Sequence, residues 1–179
     1  MKFALAFVAL ANANLFSFFH KSDDASDNDD VMSPKEHGTC PKPTMDDLRF
    51  GADHKTADRI CCYNRRYAEF SGYWHGAGKT LESELRAAGQ LTFYDAVTGK
   101  PLFEAPKGRS VDDFIQESMH HGWPSFRDAE VIWDNIVVLD GGETVSADGT
   151  HLGHNLPDRS GNRYCINLVS VAGQPQAEE

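Results

Sequence analysis

From Leu91 onward the apolar residues come in short runs, and glycine-bearing turns end each run before it reaches the length of a core helix. LTFYDAV and PLFEA flank Thr98-Gly99-Lys100, the arrangement of a hairpin. VIWDNIVVL, ETVSA and YCINLVSV follow, rich in β-branched and apolar residues and separated by DGGE, DGT and DRSGN. Two stretches carry helical spacing instead. SVDDFIQESMHH opens on Ser110, has acids in its first turn and repeats Val111, Phe114, Ile115 and Met119 along one face, while TLESELRAAG is closed by Gly89. The chain is therefore predicted to be mainly β with short helices, and no internal repeat interrupts that pattern.

The last predicted strand, Arg163 to Val171, carries the most informative alternation. With a period of two, Tyr164, Ile166 and Leu168 share an apolar face, and Arg163, Cys165 and Asn167 share the other. A thiol flanked by a guanidinium and a carboxamide is poor packing material and good chemistry. Arg163 and any charged histidine nearby favour thiolate over thiol.

Composition narrows the partners. The 179 residues include 17 Lys and Arg against 27 Asp and Glu, and the net charge of −10 argues against nucleic acid and anionic membranes, both of which select cationic surfaces. The length suits one domain with a real core. Lys2, the apolar run Phe3 to Leu10 and Ala11-Asn12-Ala13 read as a signal peptide over residues 1–13, with an uncleaved anchor as the lesser alternative. The expected location is the secretory pathway, secreted or in an endomembrane lumen. Residues 14–58 read as an acidic, disordered linker, 59–173 as the folded domain and 174–179 as a polar tail. Four cysteines in such a context suggest disulfides, but Cys61 and Cys62 are adjacent and resist bridging each other. One bridge with two thiols left over and two full bridges both remain open.

Three motifs invite binding chemistry. GYWHGAGKT, Gly72 to Thr80, resembles a phosphate loop, but the first required glycine position holds Tyr73 and no apolar strand precedes it. His151-x-x-His154 with Cys165 offers three metal donors, although a lone HxxH off a helix more often serves proton transfer or structure. His120-His121 fits a helix C-terminus better than a metal site. GWPSF, Gly122 to Phe126, reads either as core or as an indole, Trp123, walling a shallow pocket. Together Cys165, His151, His154, Arg163, Asn167 and Trp123 specify chemistry on a small apolar group that bears a polar oxygen.

GWPSF, HLGH and RYCIN, in that order and preceded by TFYDAVTGKPLF, resemble the methionine-R-sulfoxide reductases, the B-type peptide-methionine sulfoxide reductase family. The resemblance runs from about Leu91 to Gly173. It implies two small antiparallel sheets with short helices and thiol-dependent reduction of methionine R-sulfoxide, free or in protein, through a Cys165 sulfenic acid. It also implies His151, His154, Arg163 and Asn167 around the nucleophile, Trp123 and Phe126 as substrate-binding residues, and a monomer served by an external thioredoxin-like reductant. Many members carry two CxxC pairs holding a structural zinc. The matching places here are Asp95 with Thr98 and Val145 with Asp148, so neither a zinc nor any bound cofactor is expected. His121 stands where some members place a resolving cysteine, and the loop from HLGH to RYCIN is shorter than usual.

Resolution of the sulfenic acid would then fall to Cys61 or Cys62, beside Arg65 and Arg66, or to an external thiol. Against this stands a permanent bridge from one of the pair to Cys40. Two further functions are open: a non-catalytic secreted β-domain stapled by disulfides, which binds a partner through Trp123 and the aromatic run Tyr67 to Trp74 and has Cys165 bridged, and a metal module built on His151, His154 and Cys165.

Overall fold

The protein is described by a computed structural model covering residues 29–76 and 80–176. The signal peptide predicted over residues 1–13, the predicted linker up to residue 28, residues 77–79 of the glycine-rich loop and residues 177–179 lie outside the described residues. Among those described, no helix is long and apolar enough to cross a membrane.

Two antiparallel sheets form the framework, as expected. The first pairs β1 (Leu91–Tyr94) with β2 (Pro101–Ala105), Phe93 opposite Phe103, through a turn in which Gly99 takes φ 77°. The second holds β3 (Ser125–Phe126), β4 (Ile136–Val138), β5 (Glu143–Ser146), β6 (His151–Asn155) and β7 (Tyr164–Ile166) in the order β3-β7-β6-β5-β4. Among the described residues, three α-helices flank them: α1 (His54–Asp58), α2 (Leu81–Ala88) and α3 (Val111–His121). Ser110 and Asp113 cap α3 reciprocally, and Gly122 ends it at φ 88°. Phe114 and Ile115 of α3 are buried as predicted, but Met119 is exposed. The buried position is Ser118, whose hydroxyl accepts the Ser125 backbone N–H at 3.1 Å and ties helix to sheet.

Aromatic side chains join the two sheets. Phe126 stacks on Phe103 at 4.1 Å and meets Phe93 edge-on at 4.9 Å, with Tyr164 and Ile166 buried in the same cluster.

Two boundaries differ from the sequence reading. The segment before residue 59 is not a linker from residue 30 onward: Met32 packs with Leu139 and Val145, Phe50 enters the main core, and Cys40 is bonded to Cys62. A few apolar anchors and one covalent bond order a stretch too polar to order itself. The final strand is also shorter than its pattern. It ends at Ile166, and Leu168–Val171 turns into a buried 3₁₀ segment because the Glu69 carboxylate accepts the backbone N–H groups of Leu168 (2.6 Å) and Val169 (3.1 Å).

Candidate active site

Cys165 sits in the middle of β7, opposite Ser125 of β3 and His154 of β6. Its thiol is free, so the bridged Cys165 required by a purely binding domain is not observed. It opens into a cavity of about 300 Å³ shared with Trp123, His151, Gly153, His154 and Asn167. Arg66, Tyr67 and Ala68 line it too, and Tyr67 (66% exposed) and Leu156 (47% exposed) leave its mouth apolar. The cavity depends on Gly153: a Cβ there would lie 2.1 Å from the Cys165 carbonyl oxygen, so only glycine lets β6 approach β7 this closely.

The segment around Glu69 holds the walls. Trp123 Nε1 donates to the Glu69 carbonyl at 3.1 Å, which satisfies the indole's polar edge and fixes the ring. The Glu69 backbone N–H donates to Asn167 Oδ1 at 3.1 Å, and Asn167 Nδ2 donates to the Leu152 carbonyl at 3.0 Å. Both ends of the Asn167 carboxamide are thus engaged by backbone, and its part in the site is to clasp the 66–69 wall to β6. Burial pushes the Glu69 carboxyl up to about 7, against the two N–H groups that favour its charged form.

The histidines are set by a carboxylate the sequence reading did not single out. His151 Nδ1 lies 2.8 Å from Glu143 Oε1, and Arg65 Nε donates to both Glu143 oxygens at 3.0 Å. Burial works against the Glu143 charge, but these hydrogen bonds prevail and hold its carboxyl at about 2. With Nδ1 engaged, Nε2 is the His151 nitrogen open to a bound molecule. His154, its ring 5.7 Å from that of His151, is pushed down by burial and by the His151 charge, both of which favour its neutral form.

The thiol departs from expectation. Burial raises the Cys165 pKa above that of an ordinary cysteine, and the charge and hydrogen bond of Arg163 only partly offset this. Arg163 is 8% exposed, does not line the cavity and meets Asp158 at 3.6 Å. Arg163→Met is expected to raise the apparent pKa for Cys165 alkylation further and to slow iodoacetamide labelling at pH 8 by about tenfold. Mass-mapped labelling across a pH series reads this directly, and an unchanged profile would refute the role given to the guanidinium.

Other expected site residues lie elsewhere. Phe126 pairs with Tyr164 on the core side of the sheet and is fully buried, so it packs the interior instead of contacting substrate. Cys62 is bonded to Cys40, and Cys61 is fully buried with its thiol 3.4 Å from the Ser170 hydroxyl. Burial drives the Cys61 pKa far up, the reverse of the effect expected from nearby arginines, and neither sulfur lines the cavity. Arg65 and Arg66 face Glu143 and the cavity instead. Trp74 of the aromatic run is buried, whereas Tyr67 and Phe70 are exposed. His120 and His121 stack edge-on at the end of α3, with His121 lowered first by burial and then by Arg163.

At the places that the resemblance gives to zinc ligands, this chain carries Asp95, Thr98, Val145 and Asp148. Asp95 is fully buried and accepts from Val97 N–H (2.8 Å) and the Thr150 hydroxyl (2.9 Å), Val145 is in the core, and Asp148 is paired with Lys100 at 2.9 Å. Hydrogen bonds and an ion pair join the two turns there.

Glu143, Glu69 and Ala68 escaped the sequence reading, whereas Arg65 and Arg66 were assigned to Cys61 and Cys62, and Tyr67 to an aromatic partner surface, instead of to this cavity and its carboxylate. Glu143 had a usable signal, since it opens the strand ETVSA that pairs antiparallel with HLGH. Glu69 had none, because its partners lie about a hundred positions away in sequence.

No protein-family model matches the chain, and no solved structure matches it. Among curated proteins, the "Peptide methionine sulfoxide reductase MsrB" of Leifsonia xyli subsp. xyli (strain CTCB07) is 37% identical over 68 residues, covering 32% of this chain and 49% of that protein. The chain thus spans about half the length of the curated relative it matches. This supports a distant relationship to a B-type methionine sulfoxide reductase, with a mainly β fold of two antiparallel sheets consistent with it.

Proposed function

We propose that the protein reduces methionine R-sulfoxide to methionine. The observation that carries the proposal is the free thiol of Cys165 opening into a small, mostly apolar cavity that also holds Trp123 and two histidines. The indole suits the S-methyl group, and the imidazoles suit the sulfoxide oxygen. The distant match to a peptide methionine sulfoxide reductase agrees in chemistry.

The raised pKa of Cys165 assigns the proton an active part. The thiol sulfur attacks the sulfoxide sulfur as the thiol proton passes, through His154 or His151 Nε2, to the oxygen. The S–O bond breaks, oxygen is transferred to Cys165 as sulfenic acid, and the thioether methionine leaves. Glu143 keeps His151 in one tautomer and steadies its positive charge while the proton is in transit. One external thiol then forms a mixed disulfide with Cys165 and releases water, and a second restores the thiol. Resolution is external here because Cys62 is bridged and Cys61 is buried. The Cys40–Cys62 bridge supports placement in an oxidising compartment, as does the secretory leader expected from the sequence.

Epimer-resolved turnover tests the proposal. With dithiothreitol as reductant, the R epimer of a blocked methionine sulfoxide is expected to be consumed while the S epimer remains. Reduction of the S epimer at a comparable rate would overturn it.

A further inference from the structure

A second cluster of donors lies away from Cys165, where the N-terminal segment meets α1. His37 and Cys40 close a tight turn through two reciprocal backbone hydrogen bonds of 3.0 Å. Gly38, at φ 63°, lets this turn press on the chain after α1, where a Cβ would come within 2.1 Å of the Cys62 carbonyl oxygen. Asp58 ends α1, and Cys62 follows four residues later in the π turn Arg59–Tyr63. His37 Nε2 lies 2.8 and 3.0 Å from the two Asp58 oxygens, and the donor atoms of His37, Asp58 and Cys62 all fall within 4.8 Å of one another. Cys40 Sγ is bonded to Cys62 Sγ.

In sequence these are His37-x-x-Cys40 and Asp58-x-x-x-Cys62. One pair sits on a tight turn and the other on a helical turn, the spacing by which small structural zinc sites gather four ligands. The outer contacts also match such a site. Tyr63 OH lies 3.1 Å from His37 Nδ1, which fixes the ring with Nε2 inward, and Asp58 Oδ1 accepts the Thr44 N–H at 3.2 Å.

From this placement we infer that reducing the Cys40–Cys62 bond creates a tetrahedral site for a divalent cation of the zinc type, with two thiolates, one imidazole and one carboxylate as ligands. A dithiol reductant leaves as its own cyclic disulfide and yields two protein thiols. Cation binding then releases both thiol protons. Two metal–sulfur bonds of about 2.3 Å in a tetrahedron place the sulfurs ~3.8 Å apart, a modest separation from the bonded state. The same two segments would thus be joined by a covalent bond under oxidising conditions and by a metal under reducing ones. The other donor cluster, Glu117, His121 and Asp158, carries no such inference, because Arg109 and Arg127 already pair its carboxylates.

The site is independent of Cys165 and of the reductase reading, and cobalt reports on it directly. The full chain is reduced with dithiothreitol, desalted without oxygen and titrated with cobalt(II). One equivalent is expected to give a thiolate-to-cobalt charge-transfer band with the visible bands of a tetrahedral ion, and zinc should displace it. The unreduced chain should give neither band. His37→Ala and Asp58→Asn should each weaken binding at least about tenfold, while Cys165→Ser and Cys61→Ala leave the cobalt signal unchanged. If reduction unfolds the chain, far-ultraviolet circular dichroism replaces the optical titration, and refolding by one equivalent of zinc supports the site. An absent thiolate band in a folded reduced chain, a band lost in Cys165→Ser but kept in Cys62→Ser, or a chain that stays unfolded with zinc would each overturn it.

Discussion

Cys165→Ser is expected to lower turnover of a blocked methionine R-sulfoxide by at least about a thousandfold. A serine hydroxyl is a poor nucleophile toward sulfur, and no other thiol lines the cavity to take over. Cys61→Ala, which removes the other free thiol, is expected to stay within about threefold of the parent rate, because that residue packs the interior and meets no substrate. A dithiothreitol-coupled assay on both variants separates the roles. Substantial activity in Cys165→Ser would mean that the chemistry lies elsewhere.

The second large effect concerns a single methyl group. Gly153→Ala places a Cβ 2.1 Å from the Cys165 carbonyl oxygen and 3.0 Å from Ile166 Cα, all of it backbone in the neighbouring strand. Side chains can turn aside from an added atom, but a paired strand cannot. β6 and β7 must separate where the nucleophile sits. The expected cost is about 3 kcal/mol or more, a fall in Tm of roughly 6–12 °C for a chain of this size, together with loss of turnover in whatever fraction stays folded. Cys165→Ser, which changes the same neighbourhood without adding an atom, sets the baseline for thermal melting. A Gly153→Ala variant as stable as that baseline would show that the two strands have slack.

The sheets and α3 were legible because period-two runs, glycine turns and a Ser110-to-Asp113 cap are local signals, and tertiary packing did not override them. The neighbours of Cys165 were legible through the resemblance carried by GWPSF, HLGH and RYCIN and not through strand signals, since HLGH reads as a loop and GWPSF as a turn where the structure has β6 and the start of β3. Effects that depend on burial were not. The sequence shows an arginine two residues from a cysteine, but not that desolvation at that place outweighs its charge. It shows Phe126 three residues after Trp123, but not that Phe126, on β3, turns into the core while Trp123, ahead of the strand, lines the cavity. The stretch before residue 59 was misjudged because composition counts apolar residues, whereas Met32, Phe50 and the Cys40–Cys62 bond act through position.

The clasp between Glu69 and the residues after β7 also sets when the cavity around Cys165 can close during folding. Its hydrogen bonds join positions 98 to 100 residues apart, so this loop closes late, after the local hairpins are in place. In a refolding chain the β1–β2 hairpin and α3, both local in sequence, can form while Asn167, Leu168 and Val169 still lack their Glu69 partners. The enclosed cavity belongs only to the finished molecule, and its closure over Cys165 during refolding is therefore a clock for the last contact made, not the first.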